Sequence, residues 1–192
     1  MAGVRVAVTG MGVVSPVGIG VETFWRELCA GTCGVGPLTR FEADRFDVRH
    51  GAEVKGFTCP PSLEPCGAGA DLATQFVMVA AGEAIAMSGL APAAEAGWGM
   101  AIVLATNFGG LATAQPVLGQ NPSPGAAWAC ALPELSFQAA LDRIGGAWGI
   151  RGPRIGLSMS CASGAAAVGY GLDLLRTGRA RVVIAGGYDA LS

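Results

Sequence analysis

The chain has 192 residues, of which 52% are apolar and only 14% are charged, and its formal net charge at pH 7 is −2. This composition excludes a disordered chain, which needs low hydrophobicity and high charge, and argues against a nucleic-acid binder, which normally carries a basic face. The length suits one domain of ordinary size, and the shortage of charged residues predicts that another chain covers part of the apolar surface.

The sequence contains no apolar run long enough to cross a bilayer. The longest run, Ala126 to Leu132, is far shorter than the roughly 18 residues that a membrane span needs. Residues Met1 to Val8 favour a first strand over a signal peptide, because they lack a long apolar core and a small-residue cleavage site. We therefore expect a cytoplasmic protein whose thiols stay reduced.

Six cysteines are present without any C-x-x-C pair, and they are Cys29, Cys33, Cys59, Cys66, Cys130 and Cys161. His50 is the only histidine. A metal site would have to gather scattered thiolates, so none is expected. Most of the cysteines are expected to be small buried apolar residues.

The first half of the chain predicts a strand and two helices. A β-rich run from Val4 to Thr9 predicts a strand that enters a tight turn, and apolar residues at helical spacing predict a helix from Val21 to Ala30. Residues 32 to 70 are expected to be irregular. Asp71 is the expected N-cap of a helix that runs to Ser88. The stripe expected to be buried on that helix comprises Leu72, Phe76, Val79 and Ala80.

The second half predicts a buried parallel sheet. Met100 to Thr106 is apolar without alternation, which is typical of a strand buried on both faces. A loop is expected from Pro116 to Gly125 and a helix from Glu134 to Trp148. The C-terminal residues predict a βαβ unit, with a strand from Arg154 to Ser160, a helix from Ala162 to Thr177 that buries Ala165, Val168, Leu172 and Leu175, and a buried strand from Arg181 to Ala185. Alternating strands and helices predict the α/β class.

The junction between the strand and the helix of this unit, Ser158 to Gly164, carries the candidate chemistry. Cys161 lies where free N–H groups and the helix dipole favour the thiolate, which is the nucleophilic form. The small residues that follow allow a substrate to approach closely, and a sharp turn presents the side chain outward. Two interpretations stay open, a nucleophilic cysteine and a buried structural thiol.

Four segments in order resemble those of β-ketoacyl-acyl-carrier-protein synthases, the ketosynthases. The opening, Val6 to Gly18, resembles the start of these enzymes, and Arg151 to Pro153 is similar to the segment before their nucleophile strand. Ser160 to Gly164 resembles their active-site cysteine motif, and Ala185 to Ser192 is similar to the segment after their nucleophile helix. A further segment, Gly36 to Phe41, is similar to the condensing enzymes of polyketide pathways.

The resemblance implies an α/β thiolase-like fold with a mostly parallel buried sheet, in which residues 1–192 form one domain, the N-terminal half of a ketosynthase. It implies decarboxylative Claisen condensation with malonyl carrier protein in fatty-acid or polyketide-type biosynthesis. Cys161 is implied to accept the acyl group and to act as a backbone oxyanion donor. Phe108 matches a position that gates the acyl pocket, and Gly109 and Ser163 are implied to bind substrate. No cofactor or metal is implied, since an acyl carrier protein delivers the acyl group on its phosphopantetheine.

The sequence departs from the family at the residues that drive decarboxylation. Family members carry two histidines and a lysine in a C-terminal half that these residues do not include, whereas His50 and Lys55 lie in an early, surface-like region. Oxyanion donors stabilise a transition state by about 3 kcal/mol each, so the chain alone is not expected to be a competent synthase.

Three interpretations therefore stay open. The chain is the cysteine-bearing half of a split ketosynthase, completed in a homo- or hetero-oligomer by a second chain that carries the histidines. Alternatively, it is a non-catalytic subunit that resembles a chain-length factor, or a fragment of a full enzyme.

Two further features stay open in the same way. Phe108 is expected either to gate the acyl pocket from a mobile glycine hinge or to be ordinary core. Because carrier proteins are acidic, two arginine clusters are expected either to dock one or to be solvated surface. The clusters are Arg40, Arg45 and Arg49, and Arg176, Arg179 and Arg181.

Overall fold

A parallel sheet of three strands lies at the centre of the computed structural model, which describes residues 4–63, 69–91, 99–118 and 132–191. The N-terminal elements are β1 (Val14–Ser15), β2 (Gly18–Ile19), α1 (Val21–Cys29), β3 (Gly36–Pro37) and β4 (His50–Gly51). They are followed by α2 (Leu72–Ser88), β5 (Met100–Ala105), α3 (Leu111–Leu118), α4 (Ala139–Trp148), β6 (Arg154–Leu157), a 3₁₀ turn (Ser160–Ala162), α5 (Ser163–Arg176) and β7 (Val182–Gly187).

Strand β5 is the middle strand of the sheet, and all of its residues are buried. It pairs in parallel with β6, where Ile102 faces Arg154, and with β7, where Met100 faces Val182. Helix α5 therefore connects two parallel strands across β5, which confirms the predicted βαβ unit and the α/β class. Strands β6 and β7 are the two edges of the sheet in the described part of the chain.

Helices cover both faces of the sheet, because β5 is apolar on both sides. On one face, α2 and α4 pack on the sheet through a core that includes Met78, Leu104 and Leu141. On the other face, α5 packs through Val103 and Ala167. This packing explains the absence of alternation in the sequence of β5.

Helix α2 has the predicted ends, because both carry a capping residue. The carboxylate of Asp71 accepts a hydrogen bond from the N–H of Ala73 at 2.8 Å, and Gly89 ends the helix in the left-handed conformation with φ of 69°. The predicted stripe is right at Phe76 and wrong at Leu72, Val79 and Ala80, which are only half-buried. The buried residues of the helix are Ala73, Thr74, Phe76, Val77, Met78, Ala81 and Ile85. The N-terminal segment also presses on this helix, and no side chain fits between Gly12 and the carbonyl of Ala80. A helix that is contacted on several sides has no single apolar stripe.

Helix α5 is apolar on two faces, and the sequence indicated the wrong one. The predicted face contained Ala165, Val168, Leu172 and Leu175, whereas the buried residues are Ser163, Ala167, Gly171 and Leu174. The buried face is displaced by one residue and contacts β5 and β7. Val168 is consequently exposed.

The structure corrects several predicted boundaries. Val4 to Thr9 is exposed and joins no strand of the described sheet. The predicted loop from residue 116 begins inside α3, and residues 119–125 lie outside the described ranges. Helix α4 begins at Ala139 rather than at Glu134, after a turn at residues 135–138. Strand β6 ends at Leu157, and β7 is only half-buried because it is an edge strand.

No helix of the described ranges is both long enough and apolar enough to cross a membrane.

Candidate active site

The candidate site lies at the carboxyl edge of the parallel sheet. Ser158 follows β6, Thr106 follows β5 and Tyr188 follows β7. Because the three strands are parallel, their carboxyl ends meet at one edge, which is where α/β proteins bind their ligands. The predicted nucleophile turn and the predicted Phe108 loop are thereby brought side by side.

Cys161 lies in the 3₁₀ turn between β6 and α5, and its side chain is exposed. The interpretation of Cys161 as a buried structural thiol is therefore wrong. The residue before it, Ser160, has a positive φ of 51°, which makes the turn sharp enough to present the cysteine outward. The backbone N–H of Cys161 has no acceptor within the described part of the chain. An exposed thiol and an N–H without an acceptor in the described ranges, both on one residue, suit the acceptance of an acyl group.

A carboxamide ties this turn to the end of the middle strand. Asn107 Oδ1 accepts a hydrogen bond from Ser158 Oγ at 3.2 Å, and its Nδ2 donates to the carbonyl of Ser160 at 3.1 Å. Ser163 Oγ donates to the same carbonyl at 2.7 Å and accepts from the N–H of Met159 at 2.8 Å. The Ser163 hydroxyl therefore shapes the turn, and its contact with substrate stays a prediction.

A carboxylate after the third strand holds the loop that carries Phe108. Asp189 accepts hydrogen bonds from Thr106 Oγ1 at 2.6 Å, from the N–H of Asn107 at 3.1 Å and from the N–H of Phe108 at 3.0 Å. The N–H of Gly109 in turn donates to Thr106 Oγ1 at 2.9 Å. The backbone of this loop is thus fixed at three consecutive residues.

Phe108 is 57% exposed, so it is not a core residue. The mobile hinge expected beside it is wrong, because Gly109 and Gly110 are buried. A Cβ on Gly109 would lie 2.9 Å from the ring of Phe137, and no Cβ fits at Gly110 against the carbonyl of Glu134. These glycines allow a close approach of two segments. The gating of an acyl pocket by Phe108 and the binding of substrate by Gly109 stay predictions.

The single histidine and the single lysine lie elsewhere in the fold. His50 pairs with Pro37 in the β3–β4 ladder and lines an open groove of about 680 Å³ that also contains Arg40 and Arg49. Lys55 lies in the same segment, beside Glu53. No described contact brings either residue to Cys161.

Glu53 organises this segment through three hydrogen bonds. Its carboxylate accepts from Thr39 Oγ1 at 2.7 Å, from the N–H of Thr39 at 2.8 Å and from the N–H of Arg40 at 2.9 Å. The bond from the Thr39 hydroxyl, followed by the two backbone bonds, lowers the pKa of Glu53 to about 2. The charged carboxylate is thereby a structural anchor of the turn.

The two arginine clusters lie in different parts of the fold. Arg49 donates to the carbonyls of Asp44 and Phe46 at 3.3 Å, and its guanidinium lies 3.8 Å from the carboxylate of Asp44. The second cluster begins at Arg176, at the end of α5 opposite to Cys161. A helix of 14 residues places it about 21 Å from the nucleophile turn. Docking of an acidic carrier at either cluster stays a prediction.

The expected burial of the other cysteines is wrong for those that the structure describes. Cys29 and Cys33 are exposed, and Cys59 is partly exposed. Cys66 and Cys130 lie outside the described ranges. Within the described ranges, no three His, Cys, Asp or Glu side chains are grouped so that they could hold a metal ion.

Sequence reasoning missed Asn107 and Asp189, the two residues that connect the strand ends. The available signal was their position, because each is a polar residue within two positions of the end of a parallel strand. The sequence predicts Asp71 as a helix N-cap but gives no signal that its carboxylate and that of Glu134 are buried. Burial, followed by the nearby charges of Asp189, Glu134 and Asp71, raises the pKa of Tyr188 above its usual range.

Comparison with known protein families identifies the class of protein to which this α/β fold belongs. Residues 4–192 match the family described as Beta-ketoacyl synthase, N-terminal domain, so the chain belongs to that family. The predicted fold class, the N-terminal half of a thiolase-like α/β fold, is confirmed, as is the family indicated by the sequence motifs.

The relatives include both subunits of one polyketide synthase. The chain is 34% identical to the tetracenomycin polyketide synthase ketoacyl synthase alpha subunit of Streptomyces glaucescens, over 97% of this chain and 46% of that protein. It is 30% identical to the beta subunit from the same organism, over 96% of this chain and 46% of that protein. It is also 30% identical to 3-oxoacyl-[acyl-carrier-protein] synthase 2 of Vibrio cholerae, over 98% of this chain and 46% of that protein.

Solved structures of ketosynthases are similar to this chain as well. The ishigamide ketosynthase/chain length factor matches with a TM-score of 0.84 at 28% identity, covering 99% of this chain and 48% of that one. A type II polyketide acyl-carrier protein in complex with its ketosynthase, bound to the hexaketide, matches with a TM-score of 0.79 at 26% identity. This match covers 98% of this chain and 46% of that one. The chain thus spans about half the length of the relatives that it matches.

Proposed function

We propose that this chain is the cysteine-bearing chain of a β-ketoacyl-acyl-carrier-protein synthase, an acyltransferase of fatty-acid or polyketide-type biosynthesis in the cytoplasm. The observation that carries the proposal is the exposed Cys161 on a sharp strand–helix turn, whose backbone N–H has no acceptor among the described residues. Membership of the ketosynthase family and the named relatives support it.

The geometry suits transfer of an acyl group to Cys161. The thiolate attacks the carbonyl carbon of an acyl thioester carried on the phosphopantetheine of an acyl carrier protein, and the carrier thiol leaves. The oxyanion that forms in between accepts a hydrogen bond from the free N–H of Cys161. The chain needs no cofactor of its own for this step, because the carrier delivers the activated acyl group.

Condensation requires donors that the described residues do not bring to Cys161. Decarboxylation of the malonyl carrier thioester builds up negative charge, and hydrogen-bond donors must stabilise it. We therefore propose that a second ketosynthase-like chain supplies histidines opposite the nucleophile. Exposed apolar side chains of the nucleophile turn and of α5 support a covered face, and they include Met159, Val168 and Tyr170.

The alternative is a non-catalytic subunit that shapes a partner, as chain-length factors do. The beta-subunit relative and the ketosynthase/chain length factor structure favour this alternative. The cysteine is typically replaced in such factors, whereas Cys161 is present and exposed here. The retained cysteine favours the catalytic chain.

Acyl loading from a small thioester tests the proposal. The purified chain is incubated with hexanoyl-N-acetylcysteamine and its cysteine peptides are mapped by mass spectrometry. We expect the acyl group on Cys161, none on Cys29 or Cys33, and no adduct in the Cys161→Ala variant. Equal acylation of Cys29 and Cys161, or no acylation of Cys161, would contradict the catalytic proposal and favour the subunit that shapes a partner.

A further inference from the structure

Asn107 reaches from the end of the middle strand to the nucleophile turn with both atoms of its carboxamide. Its Oδ1 accepts from Ser158 Oγ at 3.2 Å and lies 3.3 Å from Ser163 Oγ, while its Nδ2 donates to the carbonyl of Ser160 at 3.1 Å. The orientation of the amide is chemically consistent, because the oxygen faces hydroxyl donors and the nitrogen faces a carbonyl.

The acceptor of that bond belongs to the peptide group that joins Ser160 to Cys161. The carbonyl of Ser160 and the N–H of Cys161 lie in one plane, since a peptide bond does not rotate freely. Ser160 is the only non-glycine residue with positive φ in the described ranges, and this conformation is strained for serine. Three donors hold its carbonyl, namely Asn107 Nδ2, Ser163 Oγ at 2.7 Å and the backbone N–H of Ser163. They therefore fix the direction of the N–H at the other end of the peptide.

Hydrogen bonds to a carbonyl also polarise the N–H of the same peptide group and strengthen it as a donor. Asn107 is itself held in place, because its own N–H donates to the carboxylate of Asp189 at 3.1 Å. A chain of bonds thus runs from the end of β7 through Asn107 to the amide of Cys161.

We propose that Asn107 is a positioning residue for the oxyanion site, which acts by orienting and polarising the Ser160–Cys161 peptide. This inference rests on the proposed acyl transfer to Cys161. It assigns to Asn107 an effect on the stabilisation of the oxyanion and none on the thiol itself.

Two reactions of the same cysteine separate these effects. Acyl transfer from hexanoyl-N-acetylcysteamine passes through an oxyanion, whereas alkylation by iodoacetamide does not. In Asn107→Ala we expect acylation of Cys161 to slow by about tenfold or more, below the roughly 100- to 1000-fold effect of losing an oxyanion donor itself. Alkylation of Cys161 is expected to stay within about twofold of the wild-type rate, because a thiol displacement needs no oxyanion donor.

Two further variants complete the experiment. Asn107→Asp keeps the shape and the acceptor contacts but loses the donor to Ser160, so it is expected to slow acylation at least as much as Asn107→Ala. Gln75→Ala is the matched control, because it removes another carboxamide bond to a backbone carbonyl, that of Ala70 at 2.9 Å. It is expected to leave both rates unchanged.

Each outcome decides between the possibilities. A fall in acylation alone supports the positioning role. An equal fall in acylation and alkylation shows a merely structural role, and unchanged acylation shows no role, so either result overturns the inference. A wild-type chain that alkylates but takes no acyl group overturns the proposed function as well, which distinguishes that failure from the failure of Asn107 alone.

Discussion

Phe108 is exposed although the strand that precedes it is buried. It follows a strand that is buried on both faces, yet its own side chain is 57% exposed. Asp189 and Thr106 accept hydrogen bonds from the backbone N–H groups of Phe108 and Gly109, so the exposed ring is attached to a fixed backbone. Any gating by this residue would therefore come from rotation of the ring rather than from movement of the backbone.

Truncation of Phe108 should have little effect on stability. Phe108→Ala is expected to change the free energy of unfolding by less than about 1 kcal/mol, because an exposed ring makes few core contacts. Phe76→Ala is the matched control, since Phe76 is 8% exposed and stacks edge-on with Phe57, and it is expected to cost about 3–5 kcal/mol. Urea unfolding measures both variants. A loss at Phe108 as large as that at Phe76 would show that Phe108 is core.

The hydrogen-bonded carboxylate of Glu53 predicts a pH dependence of stability. Its pKa in the folded chain is about 2, below its ordinary value of 4.5. Glu53 therefore stabilises the folded chain above pH 4.5, and this contribution is lost as the pH falls from 4.5 towards 2. The difference in unfolding free energy between wild type and Glu53→Gln is expected to shrink over that interval.

Unfolding followed at several pH values would measure this difference. Glu42→Gln serves as the control, because it removes an exposed carboxyl from the same segment and is expected to change stability by less than about 0.5 kcal/mol. A difference between wild type and Glu53→Gln that is constant with pH would contradict the role of the charged carboxylate.

At the scale of the elements, a buried network of carboxylates joins three helices. The carboxylate of Asp71 accepts hydrogen bonds from the N–H of Ala73 in α2 and from the N–H of Thr113 in α3, each at 2.8 Å. The carboxylate of Glu134 accepts a hydrogen bond from the N–H of Asp71 at 2.9 Å and forms an ion pair of 2.6 Å with Arg143 of α4. Because each donor is matched, the helix ends that support β5 are held without unpaired polar atoms.

Removal of Asp71 should therefore destabilise the domain more than an ordinary helix cap does. Asp71→Ala is expected to lower the free energy of unfolding by about 2–4 kcal/mol, since it removes both a helix cap and the hydrogen bond from the N–H of Thr113 to a buried carboxylate. Asp71→Asn keeps the capping oxygen and is expected to lose less. Chemical denaturation measures the three proteins, and equal stability of Asp71→Ala and wild type would contradict the network.

At the scale of the whole molecule, part of the large apolar content of the sequence lies in side chains exposed on the surface. Helix α5 contacts the sheet with one apolar face and exposes Val168 on the other. Val4, Val6 and Val8 are also exposed, in a segment that pairs with no described strand. Exposed apolar surfaces of this kind are typical of interaction sites.

Association is expected to depend on the outer face of α5. Val168→Glu should weaken self-association, or binding to a histidine-bearing partner, because it introduces a charge where an apolar contact forms. Its effect on folding should stay below about 0.5 kcal/mol, since a valine that is 57% exposed makes few internal contacts. Val48→Glu makes the same change at a valine that is 70% exposed in another segment.

Light scattering at micromolar concentration, with and without the partner, compares the three proteins. A monomeric wild type that binds no partner would contradict the prediction, as would a Val168→Glu variant that associates as strongly as the Val48→Glu control.

The sequence by itself determined the class, the family and the place of Cys161, because these depend on local patterns and on motifs in a fixed order. The ends of α2 were predictable from Asp71 and Gly89, whose capping chemistry is local. Tertiary structure alone decided which of two apolar faces of α5 is buried, since both have helical periodicity and only the neighbouring sheet distinguishes them. It also decided that Val4 to Thr9 stays outside the sheet and that Asn107 and Asp189 meet the nucleophile turn, because pairing of distant strands brings residues together that no local pattern connects.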